Sequence, residues 1–178
     1  MEQKWNPYKS KWKAAIENGI DIPVKETDNI LYLGASAGTT VSSVSELTKG
    51  IVFAIENAFQ MAIPLIRLAE KRKNIAPIFC DARNLETIEK SRYKKEINIL
   101  FQDIPAHDQI EILEKASALV EKDGLILLSL KTQSISQQDP EKTFKEAKTK
   151  LSKKFKIIKT ANLFPFHKKH YFFLMKKL

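Results

Sequence analysis

The sequence predicts a doubly wound α/β fold: a mostly parallel, seven-stranded sheet with helices on both faces and an antiparallel hairpin at its C-terminal end. Three observations predict it. Five short, nearly continuous apolar runs recur along the chain, and segments of helical periodicity lie between them. The alternation then stops, because the last two strand-like runs follow one another with no room for a crossover helix and must pair antiparallel.

Taken in order, residues 1–28 read as an N-terminal extension with a helix over 9–18 closed by Gly19, and the main domain is expected over 29–178, the whole forming one globular unit. The runs NILYLG (29–34), IVFAI (51–55), APIFC (76–80), INILFQ (97–102) and GLILLSL (124–130) are the parallel strands. Helical spacing marks 40–48, 58–73, 106–121 and 141–153, with a weaker pattern over 84–92. FKIIKTANL and HYFFLMKK, joined by FPFHKK, form the terminal hairpin.

Composition narrows the function classes. The chain has 178 residues, 43% of them apolar and 29% charged, which suits a single core without disulfides or a structural metal. One cysteine, Cys80, excludes an intramolecular disulfide framework and a cysteine zinc cluster, and fits a cytoplasmic setting. No apolar run approaches the roughly 18–20 residues that span a bilayer, so no membrane partner is expected. The net charge of +9 is a C-terminal property: Lys142 to Leu178 hold twelve lysines against the single acid Glu146. With Lys4, Lys9, Lys11 and Lys13 at the other end, this reads either as a phosphate-binding face or as solvated helix surface.

In a doubly wound sheet, ligands sit beyond the carboxyl ends of the strands, so the residues there carry the argument. Gly34-Ala35-Ser36-Ala37-Gly38-Thr39-Thr40 is a small-residue turn that lets a ligand approach the backbone. It departs from G-x-G-x-x-G and lacks a P-loop lysine, which disfavours pyrophosphate. Alone it is also compatible with a plain strand-to-helix turn. Glu56 stands 22 residues after Gly34 at the end of the second strand, placed for ribose hydroxyls, while Asp81 follows the third strand, placed for an adenine amine. Asp103 follows the fourth. Singly, such acids are usually caps or solvated loop residues; three at successive strand ends favour an adenosyl site. Lys131, after the fifth strand, is either a snorkelling lysine or a base whose pKa burial lowers, and His170 starts the last strand.

The segments Trp5-Asn6-Pro7-Tyr8-Lys9-Ser10-Lys11, Tyr32 to Ser42, Phe101-Gln102-Asp103 and Pro165 to His170 together resemble the fibrillarin family, box C/D RNA-guided 2′-O-methyltransferases, in collinear order over nearly the whole chain. The resemblance implies a Rossmann-like S-adenosylmethionine-dependent methyltransferase fold of archaeal type. It implies a catalytic set of Lys11, Asp103, Lys131 and His170; within that set we expect neutral Lys131 to take the ribose proton, Asp103 to orient it and Lys11 to keep its pKa down by like charge. It implies S-adenosylmethionine bound by Gly34, Ala35, Gly38, Thr39, Thr40, Glu56, Asn57, Asp81, Ala82 and Asp103, with no metal. The implied partners are a box C/D guide RNA, a target rRNA or tRNA, a Nop-family scaffold protein and a kink-turn-binding protein.

Two departures stand out. Where the family continues D-V-A-Q-P-x-Q, this chain reads Asp103-Ile104-Pro105-Ala106-His107-Asp108-Gln109, so the cofactor-contacting glutamine is Ala106 while Gln109 keeps its place. Asn57 replaces an aromatic residue that flanks the adenine, with Phe59 the nearest ring. These changes, and a start only four residues before Trp5 where archaeal relatives carry a small β-rich domain, keep open a second reading as a non-catalytic assembly subunit of the same particle.

Overall fold

The computed structural model describes residues 5–91 and 96–177. Lys4 of the N-terminal lysine group and Arg92, the last residue of the weak helical pattern, lie outside the described residues.

Helix α1 (Lys11–Glu17) starts where the Ser10 side chain accepts the Lys13 N–H at 3.2 Å. It ends in a Schellman turn: Gly19, at φ +83°, donates to the Ile16 carbonyl and Ile20 donates to the Ala15 carbonyl, both at 2.9 Å. Trp12 is fully buried and meets Phe101 edge-on at 5.1 Å, so α1 packs into the same core as the sheet.

The remaining elements are β1 (Ile30–Leu33), α2 (Thr39–Val44), β2 (Val52–Glu56), α3 (Phe59–Lys71), β3 (Ile75–Phe79), α4 (Glu86–Glu89), β4 (Ile97–Gln102), α5 (Gln109–Ala116), β5 (Val120–Lys131), α6 (Thr132–Ile135), α7 (Pro140–Leu151), β6 (Phe155–Asn162) and β7 (His170–Lys177). The sheet order is β3-β2-β1-β4-β5-β7-β6. Strands β1 to β5 run parallel; β7 inserts antiparallel between β5 and β6. Strands β1, β2 and β4 are apolar on both sides because each face of the sheet carries its own buried cluster. Among the described residues no helix is long and apolar enough to cross a membrane.

Several boundaries differ from the sequence pattern, and three of the differences have a physical reason in the contacts. Helix α2 stops at Val44, and the Asn74 amide takes over by donating to the Ser45 and Thr48 carbonyls at 2.8 and 2.9 Å. Helix α5 yields to a 3₁₀ turn over Ser117–Leu119, and Val120 joins the sheet by pairing with Ile97. The exposed Glu121-Lys122-Asp123 stretch, whose first residue the helical pattern includes, is a bulge inside β5, with Asp123 at φ +65°. The short α6 has no signal in the polar sequence after Lys131.

The lysine-rich segment does not form one face at the carboxyl end. Lys131 pairs with His170 at that end, whereas Leu125 pairs with Lys176 and Phe155 with Lys177 at the other. Lys153, Lys154, Lys156, Lys176 and Lys177 therefore sit roughly 20 Å down the strands from Lys131. Part of this charge is neutralised in ion pairs: Lys150 with Glu111, Lys154 with Glu114 and Lys176 with Asp123.

Candidate active site

The sheet reverses its winding between β1 and β4, and a cleft of about 310 Å³ opens beyond the strand ends there. Gly34 turns the chain at φ +82°, and its N–H and that of Ala35 both donate to the Ile55 carbonyl at 3.0 and 2.9 Å. A Cβ on Gly34 would lie 2.5 Å from the Asp103 carbonyl oxygen, so only glycine allows β1 and β4 to converge here.

Glu56 is buried, and three backbone N–H groups hold its carboxylate: Ser36 donates to Oε2 at 2.6 Å, while Asn57 and Ala58 donate to Oε1 at 2.9 and 2.7 Å. A carboxylate offers about four acceptor directions, which leaves about one for a ligand hydroxyl. Asp81 is exposed across the cleft and shares Arg83: the Arg83 N–H donates to its Oδ1 at 2.8 Å, and the guanidinium also grips Asp108 bidentately at 2.8 and 2.7 Å. Arg83 holds the Asp108 carboxyl below the ordinary carboxylate range. Burial, then the Asp81 charge, pushes the Cys80 thiol up.

Gly34, Glu56, Asn57, Asp81, Ala82 and Asp103 line this cleft. Ala35, Gly38, Thr39 and Thr40 are not among its walls. Gly38 faces α3, where a Cβ would lie 2.7 Å from Leu68; Thr40 is buried and bonds the Tyr32 hydroxyl. Ser36 is the lining residue of that turn besides Gly34. Phe59 turns away to meet Phe79 edge-on at 6.3 Å, and Met61 lines the cleft instead. Met61 and Arg83 carry no motif that sequence reading could detect. Ala106 turns in the loop behind Asp103, its N–H donating to the Ile104 carbonyl at 3.0 Å.

Asp103 joins the cleft to a charged cluster. Its backbone N–H donates to the Leu33 carbonyl at 2.9 Å, and its Oδ2 lies 3.0 Å from Lys11 Nζ. Lys131 closes β5 opposite His170, the first residue of β7. The four predicted residues are thus brought together, but the ion pair runs from Asp103 to Lys11, and among the described residues no acid lies within ion-pair distance of Lys131. Burial lowers the His170 pKa, and Lys11 and Lys131 push it the same way, against Asp103. Its Nδ1 lies 2.8 Å from the Lys168 carbonyl, so Nδ1 carries the proton and Nε2 is the acceptor. His167, passed over in the sequence, donates from Nε2 to the Pro7 carbonyl at 2.8 Å and ties down the segment that carries Lys11; burial lowers its pKa too. Tyr8 meets Phe166 edge-on at 5.1 Å at the same junction.

The cleft fits S-adenosylmethionine: a side-chain-free approach at Gly34, an acid for a ribose hydroxyl, a second acid for an adenine amine and apolar walls from Ile55, Met61 and Ile104. Among the described residues no group of His, Cys, Asp and Glu could hold a metal ion. A sheet of this order with this cleft defines the class of S-adenosylmethionine-dependent methyltransferases.

Within that class the chain belongs to the fibrillarin family, whose model matches residues 2–177. It is 39% identical over 175 residues to the fibrillarin-like rRNA/tRNA 2′-O-methyltransferase of Methanocaldococcus jannaschii, covering 96% of this chain and 75% of that protein. Among solved structures, a fibrillarin in a fibrillarin/Nop5p complex superposes with a TM-score of 0.93 at 31% identity, over 98% of this chain and 84% of that one. Aeropyrum pernix fibrillarin with natively bound S-adenosyl-L-methionine gives 0.83 at 31% identity, over 96% and 76%.

Proposed function

We propose that this chain transfers a methyl group from S-adenosylmethionine to the 2′-hydroxyl of a ribose in rRNA or tRNA, as the catalytic subunit of a box C/D guide ribonucleoprotein. The observation that carries this reading is the meeting of Lys11, Asp103, Lys131 and His170 beside the cleft, with Asp103 common to both. Gly34, Ser36, Glu56, Asp81 and Asp103 would hold the cofactor, whose sulfonium makes the methyl group electrophilic. The protein then has to align the ribose oxygen and remove its proton. Lys131, in its neutral amine form, accepts that proton at Nζ, His170 presents Nε2 to the same space, and Asp103 neutralises Lys11 so that the anionic backbone meets one fixed ion pair. Lys168 and Lys169, next to His170, contact substrate phosphates.

The fibrillarin/Nop5p structure supports a Nop-family scaffold as partner. A guide RNA that selects the target and a kink-turn-binding protein complete the proposed particle, and the lone thiol of Cys80 supports a reducing, cytoplasmic setting.

The test is methyl transfer from labelled S-adenosylmethionine to a target RNA in the reconstituted particle, comparing the unchanged chain with Asp103→Ala. Guide-dependent labelling at a 2′-oxygen that disappears in the variant supports the proposal. Assembly without labelling by the unchanged chain makes it a structural subunit.

A further inference from the structure

Strand β5 outruns its neighbour. β4 ends at Gln102, opposite Leu128, so Ser129, Leu130 and Lys131 have β7 on one side and no strand on the other. At Lys131 a side chain takes the place of the missing strand. Gln109, the first residue of α5 and fully buried, accepts the Lys131 N–H at Oε1 (3.1 Å) and donates from Nε2 to the Lys131 carbonyl (3.1 Å) and to the Ala106 carbonyl (2.8 Å). A primary amide presents a donor and an acceptor in one plane, as a peptide group does, so it extends the ladder by one rung. The Gln109 carbonyl in turn accepts from Gln102 Nε2 at 2.6 Å, from another fully buried glutamine at the end of β4, one residue before Asp103. The two glutamines therefore connect the end of β4, one residue before Asp103, to the backbone at Lys131. The Gln109 side chain is not among the walls of the cleft, and it meets the cluster through the main chain of Lys131.

We infer that Gln109 is a positioning residue for methyl transfer: it fixes Lys131 relative to Asp103 and to the loop of Ala106, and acts on turnover without touching cofactor or RNA. This rests on the function proposed above.

The test uses the full chain in the reconstituted particle, with Gln109→Met, which keeps the volume and removes every hydrogen bond, and Gln109→Glu, which keeps the acceptor for the Lys131 N–H. The expected result is a fall in kcat of about 10–100-fold for Gln109→Met, the cost of a displacement near 1 Å, and for Gln109→Glu a fall that is smaller at low pH, where the protonated carboxyl still donates, than at high pH, where an oxygen faces the Lys131 and Ala106 carbonyls. The Kd of S-adenosylmethionine, measured by calorimetry, and the KM for RNA should stay within about twofold, because nothing the ligands touch has changed. A kcat within about threefold of the unchanged chain in both variants overturns the role, and so does a loss of cofactor affinity in proportion to the loss of kcat. Should Gln109→Met fail to fold, Gln109→Glu decides alone, and turnover equal to that of the unchanged chain overturns the role. An unchanged chain that assembles but does not methylate overturns the proposed function itself, whereas full activity in both variants overturns only the role of Gln109.

Discussion

Glu56 and Asp103 are both carboxylates at the ends of adjacent parts of one sheet, and they are held in opposite ways. Three backbone N–H groups from nearby turns grip Glu56, and the cleft around it takes its shape from main chain and from the missing side chain of Gly34. Asp103 is gripped by the side chain of Lys11 from the N-terminal helix, in a cluster whose other members stand on β5 and β7. Backbone donors stay in place whatever side chains surround them, whereas a cluster of charges exists only while each charge does. The cleft should therefore govern binding and the cluster turnover.

Substitution at Lys131 breaks that division most directly. Lys131→Met should lower the rate of methyl transfer by about 10²–10⁴-fold while cofactor affinity stays within about twofold; single-turnover kinetics and calorimetry read the two separately. On the cleft side, Glu56→Gln leaves three N–H groups facing a neutral amide and should weaken S-adenosylmethionine binding by about 10–100-fold, as expected when hydrogen bonds to a charged group are lost. Gly34→Ala probes main-chain shape alone. Its Cβ would meet the Asp103 carbonyl at a strained φ, and thermal unfolding should show a loss of about 1–3 kcal/mol.

Acid should act on the cluster rather than on the cleft. Burial keeps the folded pKa of His167 and His170 below the ordinary 6.5, so the unfolded chain binds protons first. Stability therefore falls as pH drops below about 6.5, and His167→Gln should flatten the melting temperature profile between pH 7 and 5. The smallest effect belongs to the exposed Arg83–Asp108 pair, where Asp108→Asn should leave the midpoint of denaturant unfolding nearly unchanged.

Most of the sheet could be read from the sequence because apolar runs buried on both faces announce themselves. Glu56, Asp81 and Asp103 were legible for a related reason: in a parallel sheet, the residue after each strand falls at the ligand end. What escaped was decided by long-range contact. The bulge over Glu121-Lys122-Asp123 carries three charges inside a strand, and nothing local foretells that Val120 pairs with Ile97. Met61 and Arg83 reach the cleft only through the packing of α3 and the loop after β3. The twelve lysines counted as one basic region divide between the two ends of the sheet, since α7, β6 and β7 each carry the chain the full length of the strands.

The position of β7 has a consequence for how the molecule is made. Strand β7, which follows β5 and β6 in the chain, is an interior strand inserted between them, and it brings His170 with it. Until it arrives, β5 and β6 present unpaired edges and the cluster lacks one of its four members. A chain that stops short of residue 170 thus exposes two unpaired strand edges, a state that chaperones and proteases recognise. Closure of the sheet and assembly of the charged cluster therefore become one event.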